Sequence, residues 1–546
     1  MRELFISGIE ACRRHGLGAW RAGERGFDAA FGSSLNPLRH LGAVACLAFL
    51  LLASSGIVLY TVLDTSAAGA HRSIEELTRT PWHWGSLLRG LHRYAADAFA
   101  ISIGLHLARE WLHGHERGFR RFSWLTGVPL VGFAAAAAIG GFWLNWDQLG
   151  QYSALATAEW IDALPLQSTP LSRNFLVASA VSDRLFSLFV FVHLGAPLLL
   201  VFGLWFHLQR ITRAEVLPPR ALALGTVFTL LALAGLLPVV SHAPAALAHV
   251  PQLLRFDWIL LFVHPLVEAT APLAVWAGVA GAFALLFAAP WLPRPVASPS
   301  ASVAVVDAAN CNGCRRCFAD CPYAAITMAP HPNQRIGREI AVVDTDLCAA
   351  CGICAGACPS STPFRGVAEL VTGIDMPQLT MGALRTRLHE ALAEDAAARP
   401  IVVFGCDHGA DVQSLHASDV SAFSLLCTGQ LPPSFVEYAL RDGAAGVLVA
   451  ACREGGCEFR FGTRWTGERL HGRREPHLRA SIEHERVAFA EADRGDEGAL
   501  HSALGGLRAR RCIARSPAGA GEGGGEGERC ATTLTPALSH KWERES

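Results

Sequence analysis

The chain has 546 residues, 51% of them hydrophobic and 17% charged, with a mean hydropathy of +0.30. That length exceeds one domain, and a net charge of −1 excludes the basic character of a nucleic-acid-binding chain. The apolar residues concentrate between about 38 and 292 and the remainder reads as soluble, which describes a membrane protein with a soluble C-terminal part.

The N-terminal stretch MRELFISGIEACRRHGLGAWRAGERGF lacks the continuous apolar core of a signal peptide. A helix needs roughly 20 apolar residues to cross the hydrocarbon core. Six such stretches follow, at 41–63, 91–112, 122–143, 185–208, 221–240 and 258–289. The last is long, and Pro265 and Pro272 are expected to bend it or move its start later. Basic residues gather in the N-terminal segment (Arg13, Arg14, Arg21, Arg25), the second loop (Arg117, Arg120, Arg121) and the fourth (Arg210, Arg213, Arg220). With six spans these lie on one side, which the positive-inside rule makes cytoplasmic, and the C-terminal region emerges there too. The expected location is the inner (cytoplasmic) membrane, multi-pass, with the N-terminus and the C-terminal domains in the cytoplasm.

Two of these spans carry histidines fourteen residues apart: His92 and His106 in HRYAADAFAISIGLH, and His193 and His207 in HLGAPLLLVFGLWFH. At about 100° and 1.5 Å per residue, fourteen residues nearly restore one helix face about 21 Å further along. The second and fourth spans run the same way through the bilayer, so they can form two stacked His–His pairs. Histidine is a haem axial ligand, and ionisable residues inside spans mark function. Two other spans repeat glycine at the same interval, Gly42 with Gly56 and Gly127 with Gly141, and glycine lets a flat macrocycle approach the backbone. The plainer alternative is histidines hydrogen-bonded between helices and glycines marking tight packing. Four helices sharing one repeat favour two stacked haems. The absence of a C-x-x-C-H motif makes them non-covalent b haems.

The segments RGLHRYAADAFAISIGLHLAR and GFWLNWDQLG resemble the N-terminal half of the cytochrome b family of quinol–cytochrome c reductases and their photosynthetic relatives, over roughly 31–209. The resemblance implies that His92 and His193 share one haem near the outer face, and His106 and His207 the other near the cytoplasm. It implies haem-propionate contacts for Arg89 and Arg109, and a helix bend at Pro197. Asn145 stands where the family's third-helix motif has proline. Where the family's quinol-oxidising site has P-E-W-Y, this chain has Phe-Asp-Trp-Ile at 256–259; the resemblance makes Asp257 the candidate surviving carboxylate, and the alternative is an ordinary acidic residue before an interfacial tryptophan. His71, His83, His113, His115, His242 and His264 have no partner at the repeat spacing, and those in loops are expected to be solvated.

The stretch PWLPRPVASPSAS, Pro290–Ser302, reads as a linker by composition, and the domain division places the linker at 293–302. Then CNGCRRCFADCP and CAACGICAGACP give C-x2-C-x2-C-x3-C-P twice, the pattern of bacterial two-cluster ferredoxins. Three cysteines of each run wrap one [4Fe-4S] cube and the fourth reaches the other. Cys311, Cys314, Cys317 and Cys358 are expected to hold one cluster, and Cys348, Cys351, Cys354 and Cys321 the second. Zinc is the rival ligand for C-x2-C pairs, and disulfides are disfavoured in a reducing cytoplasm.

After a helical stretch, MPQLTMGALRTRLHEALAEDAAA, short apolar strands alternate with helices, and Cys406, Cys427, Cys452 and Cys457 fall where strands end. Ligands collect at strand ends of α/β sheets, and four cysteines suit a [2Fe-2S] cluster; inert buried cysteine is the alternative. The segment LLCTGQLPPSFVEYALRDGAAGVLVAACREGGCEFRFG resembles the iron–sulfur delta subunit of methyl-viologen-reducing hydrogenase. That family has C-x-W-C where this chain has Cys-Asp-His-Gly, with His408 and Gly409 replacing the tryptophan and second cysteine. The Gly/Glu-rich C-terminal sequence is expected to be a disordered tail, and Cys12, Cys46, Cys512 and Cys530 to be unligated.

The expected fold is multidomain: a six-span α-helical membrane bundle with a four-helix di-haem core (31–292), a small α+β two-cluster ferredoxin (303–362), an α/β iron–sulfur domain (399–480) and a tail (485–546). The expected function is a membrane-bound electron-transfer subunit of an oxidoreductase. It would pass electrons between the quinone pool, two b haems, two [4Fe-4S] clusters, a two-iron cluster and a soluble cytoplasmic flavin and iron–sulfur partner similar to heterodisulfide reductase. The other readings are a self-contained quinone-linked oxidoreductase and a non-catalytic membrane-anchored redox sensor. Membrane lipid is the other expected partner, and nucleic acid is not one.

Overall fold

A computed structural model describes residues 2–80, 83–165, 168–175, 181–209, 211, 214–248, 253–292, 302–332, 338–394 and 399–515, excluding the side chains of 2–7 and 511–515. Arg210, Arg213, the linker at 293–301, Cys530 and all of 516–546 lie outside the described residues, as does the side chain of Cys512. The chain divides into two compact units, Met1–Ser300 and Ala301–Ser546.

The first unit is helical. It opens with a long helix, α1 (Arg2–Phe31), that the sequence reading did not assign. The helix packs near the far end of α4 (Trp84–His113): Arg13 pairs with Glu116 at 2.7 Å, and Arg109 Nε donates to Glu24 at 3.4 Å. Three further long helices are apolar around most of their circumference: α2 (Leu41–Val62), α5 (Arg121–Asn145) and α7 (Asp183–Leu208). Helix α2 packs on α4, and α5 on α7. Pro129 and Pro197 lie inside α5 and α7, each removing one backbone donor from its helix. Shorter helices are α3 (Ala70–Thr78), α6 (Gln148–Asp162) and α8 (Arg220–Leu236).

The expected sixth span is two helices, α9 (Val263–Ala269) and α10 (Pro272–Ala288). Pro265 lies inside α9, whereas Pro272, which has no N–H to donate, is the first residue of α10. Among the described residues, four helices are long and apolar enough to cross a membrane: Leu41–Val62, Gly118–Asn145, Asp183–Leu208 and Pro272–Trp291. Helix α8, at 17 residues, is shorter, and α4 has the length but carries charged residues along it.

The second unit holds two folds. The first is built from antiparallel pairs of short strands, β1 (Val305–Val306) with β4 (Ile374–Asp375) and β2 (Ile326–Pro330) with β3 (Glu339–Val343). Two single-turn helices complete it, α11 (Arg316–Ala319) and α12 (Ile353–Ala357). Because β4 pairs with β1, this fold runs to Asp375, past the boundary expected at 362.

The second fold is a parallel sheet in the order β6 (Val420–Leu425), β5 (Ile401–Cys406), β7 (Gly446–Ala451), β8 (Val487–Glu491). Strands β5 and β7 are buried along their whole length, as central strands of a two-sided α/β sheet are. One face is covered by α13 (Met381–Glu394) and α14 (Pro433–Arg441), through Leu384, Leu388, Phe435 and Val436. The other face is covered by α16 (Glu497–Arg515), through Leu500, Leu504 and Leu507. Helix α15 (Gly462–Leu470) lies beyond β7. The fold therefore extends on both sides of the expected 399–480. Residues 485–510, expected in the tail, form the last strand and a packed helix, because three leucines at helical spacing are fully removed from water.

Candidate functional site: paired histidines and three groups of four cysteines

The fourteen-residue repeat appears in space as four glycine–histidine pairs. A Cβ at Gly42 would lie 3.5 Å from His106 Cε1, at Gly56 3.1 Å from His92 Cε1, at Gly127 3.1 Å from His207 Cε1, and at Gly141 3.0 Å from His193 Cε1. Each histidine of α4 faces a glycine of α2, and each of α7 a glycine of α5. The Nδ1 atoms have partners. Ser55 Oγ lies 2.9 Å from His92 Nδ1, His193 Nδ1 donates to Ala137 O at 2.9 Å, and Thr126 Oγ1 lies 3.5 Å from His207 Nδ1. His106 Nδ1 is 3.9 Å from Glu110 Oε1. Fixing Nδ1 leaves Nε2 as the ligating atom, which is how metal-bound histidines are oriented. The His92 and His193 ring centroids are 6.3 Å apart. A metal about 2 Å from one nitrogen of each ring separates the centroids by about 6 Å. These residues therefore fit bis-imidazole ligation.

Arg89 and Arg109 stand at opposite ends of α4. Arg89 donates to Ser241 Oγ at 2.7 Å and to Glu75 at 3.4 Å, and Arg109 donates to Glu24 and Glu110 at 3.4 and 3.3 Å. Asn145, in the place of the family's proline, bonds Asp147 through Nδ2 at 2.6 Å and accepts from Arg89 at 3.4 Å, which ties the end of α5 to the start of α4. Asp257 forms an ion pair with Arg93 and caps the turn after it, accepting from Ile259 N and Leu260 N at 3.0 and 2.8 Å. It is a bound structural carboxylate in this arrangement.

Two of the histidines without a partner at the repeat spacing are buried in polar contacts. His264 bonds Thr157 and Ser153 at 3.0 and 3.3 Å, and His115 lies 2.6 Å from Glu110 Oε2. His115 was expected to be solvated with the loops. The sequence carried no signal for its burial, because its carboxylate partner comes from the preceding helix end.

The ferredoxin-like cysteines form the two expected quartets. One cavity of about 330 Å³, including its open mouth, is lined by Cys321, Cys348, Cys351 and Cys354. A second of about 300 Å³ is lined by Cys311, Cys314, Cys317 and Cys358. The fourth cysteine of each motif thus crosses to the other group. Positive φ at Gly313, Arg315, Ala350 and Gly352 turns each loop around its cavity. Among the described residues, no three His, Cys, Asp or Glu side chains are placed to hold a single metal ion. Thiols spread around a cavity suit a multi-iron cluster better than a tetrahedral zinc, whose sulfurs sit about 2.3 Å from one point. Burial pushes the Cys317 and Cys351 thiols up to about 12, so these groups stay neutral unless a cation binds them.

Cys406, Cys427, Cys452 and Cys457 are all buried and bond one another in a closed ring. Bonds from Cys427 and Cys452 hold the Cys406 and Cys457 thiols low, and the same bonds push the two donors up. Cys406 ends β5 and Cys452 follows β7, so the ring sits where the strand order reverses, the usual ligand position of open α/β sheets. Gly462, the first residue of α15, was not singled out as a site residue. A Cβ there would overlap Cys427 Sγ and lie 3.4 Å from Cys457 Sγ, so only glycine admits both thiols. Gly409 stands 3.1 Å (as a built Cβ) from Ala492 O, a crowded place for the family's second cysteine. All fourteen cysteines within the described side chains are free of disulfides.

Residues 27–214 match the cytochrome b/b6/petB family, residues 310–362 the 4Fe-4S dicluster domain, and residues 401–509 the delta subunit of methyl-viologen-reducing hydrogenase. A similar solved chain comes from a hyperthermophilic respiratory Complex III, with 20% identity over 46% of this chain and 74% of that one and a TM-score of 0.38. The three family matches describe a fusion of a membrane cytochrome b segment with two iron–sulfur segments. They support an electron-transfer subunit that carries haem b and iron–sulfur clusters.

Proposed function

We propose that this chain is a six-span inner-membrane subunit that carries electrons between the quinone pool and a soluble cytoplasmic redox protein. His92 and His193 hold one b haem and His106 and His207 a second. Gly56, Gly141, Gly42 and Gly127 give each ring its room, and Arg89 and Arg109 supply positive charge for the propionates. Cys311, Cys314, Cys317 and Cys358 hold one [4Fe-4S] cluster, and Cys348, Cys351, Cys354 and Cys321 the other. Cys406, Cys427, Cys452 and Cys457 hold a [2Fe-2S] cluster. Haems and clusters supply one-electron redox chemistry when bound. The N-terminus and the second unit lie in the cytoplasm.

The observation that carries this reading is the fourfold facing of repeat glycines and repeat histidines in one chain with three groups of four cysteines. Quinone chemistry belongs at the end of α4 that carries Arg109. There Glu110, His115 and Arg120 form a contiguous polar group, with His115 2.6 Å from both Glu110 Oε2 and Arg120 Nη1. Such a group can deliver the protons that quinone reduction consumes. The partner is a flavin and iron–sulfur protein similar to heterodisulfide reductase, a reading favoured by the likeness of residues 401–509 to the hydrogenase delta subunit.

The test uses the solubilised chain with a soluble viologen radical as donor and a quinone analogue as acceptor. Viologen is expected to reduce the clusters, then the haems, then the quinone. Haems that stay oxidised beside fully reduced clusters would sink the reading.

A further inference from the structure

The two cysteine quartets of the ferredoxin-like fold differ in their surroundings. Cys314 of the first is exposed, and Phe318 beside Cys317 is 49% exposed. Cys351 and Cys354 of the second are buried, and the loop and helix bearing them pack into the α/β fold. A Cβ at Gly352 would lie 2.9 Å from Gln430 Cγ, and one at Gly356 2.9 Å from Arg469 Nη1. Ile353, next to Cys354 and fully buried, reaches the other side: a Cβ at Gly429 would lie 2.8 Å from its Cγ1, and one at Gly462 3.9 Å from its Cδ1. Gly429 follows Cys427 by two residues, and its N–H points to Cys427 Sγ at 3.4 Å. The Ile353 side chain therefore lies between Cys354, its chain neighbour, and Gly429 and Gly462, which flank Cys427.

A buried ion pair closes the same junction. Arg469 is 1% exposed; its Nη2 donates to Asp320 Oδ2 at 2.7 Å and its Nη1 to Gly429 O at 2.8 Å. Arg474 Nη2 donates to Asp320 Oδ1 at 2.6 Å. Asp320 precedes Cys321, the crossing ligand of the second quartet. Arg469 Nε is buried without a hydrogen-bond partner. A guanidinium fixed on both sides holds the two cysteine loops in register.

We propose that the cluster held by Cys321, Cys348, Cys351 and Cys354 is the one that exchanges electrons with the ring of Cys406, Cys427, Cys452 and Cys457, across Ile353. The Arg469–Asp320 clamp fixes the gap, and the Cys311 quartet is the outward terminal. With both groups bound, the step would pass one electron between them, oxidising one and reducing the other, with no bond made or broken and no proton transferred. This inference rests on the cluster assignments proposed above and adds their order and their junction.

The test is electron paramagnetic resonance of the full solubilised chain, reduced stepwise without oxygen. The four-cysteine signal is expected to show magnetic coupling to one cubane. Cys348→Ser, which replaces a ligand of the inner quartet, alters or abolishes that coupling, and Cys311→Ser leaves it intact. The opposite pattern, or no coupling with all three clusters present by iron and sulfide analysis, overturns the junction while the cluster assignments stand. A ring that binds no iron overturns both. Arg469 is a positioning residue: Arg469→Gln weakens the coupling with cluster content unchanged, and Arg469→Lys restores it. Full coupling in Arg469→Gln would remove the clamp from the account.

Discussion

A Cβ placed on Gly141 would stand 3.0 Å from Cε1 of His193, on the face of α5 that α7 covers. The same relationship holds for Gly127 and His207 one repeat away. Gly141→Val should therefore displace the haem proposed at His92/His193 and Gly127→Val the one proposed at His106/His207, each halving the haem content measured as pyridine haemochrome. His207→Ala should likewise lose one haem and keep one. Loss of both haems from each single variant would show that the two sites are not independent.

The α15 N-terminus gives a separate prediction. Gly462→Ala drives a methyl group into Cys427 Sγ, so the ring should lose its cluster while both cubane signals persist. An unchanged three-cluster spectrum in Gly462→Ala would refute the assignment of Cys427 and Cys457 as ligands of one centre.

Arg109 lies at the end of α4 where quinone chemistry is proposed. A quinone analogue should shift the spectrum or potential of the His106/His207 haem in the wild type. Arg109→Met should abolish that shift and leave the His92/His193 haem unaffected. An analogue that perturbs neither haem contradicts a quinone site at this end.

A chain ended at residue 484 removes β8 and α16, and with them Leu500, Leu504 and Leu507, each at most 4% exposed. At about 2 kcal/mol per buried leucine the loss is roughly 6 kcal/mol, comparable with the whole stability of a small domain. The α/β fold should then fail to form, visible as loss of the ring cluster and rapid proteolysis of 399–484. Retention of a protease-resistant fold would contradict the packing role of α16.

The facing of histidines and glycines is legible in the sequence because a periodic helix converts spacing into direction: residues fourteen apart share a face. Three cysteines of each quartet are legible because short spacing forces thiols together, and the crossing of the fourth follows from the two-cluster ferredoxin pattern. Helix α1 is not legible in the sequence because its apolar residues are diluted by arginine and glycine. Leu500, Leu504 and Leu507 do carry a helical period, but Gly505, Gly506 and the arginines after them masked it. The break between α9 and α10 was half legible, through Pro272. The Arg469–Asp320 pair was not legible at all: 149 residues separate the partners, and no local pattern announces a buried long-range ion pair.

The most direct test of the account is a cofactor inventory of one purified, anaerobically prepared sample of the full chain. The account predicts two non-covalent b haems with about ten non-haem irons and matching acid-labile sulfide per chain, from two [4Fe-4S] clusters and one [2Fe-2S] cluster. A single haem, covalently attached haem, or zinc in place of the cluster iron would contradict it.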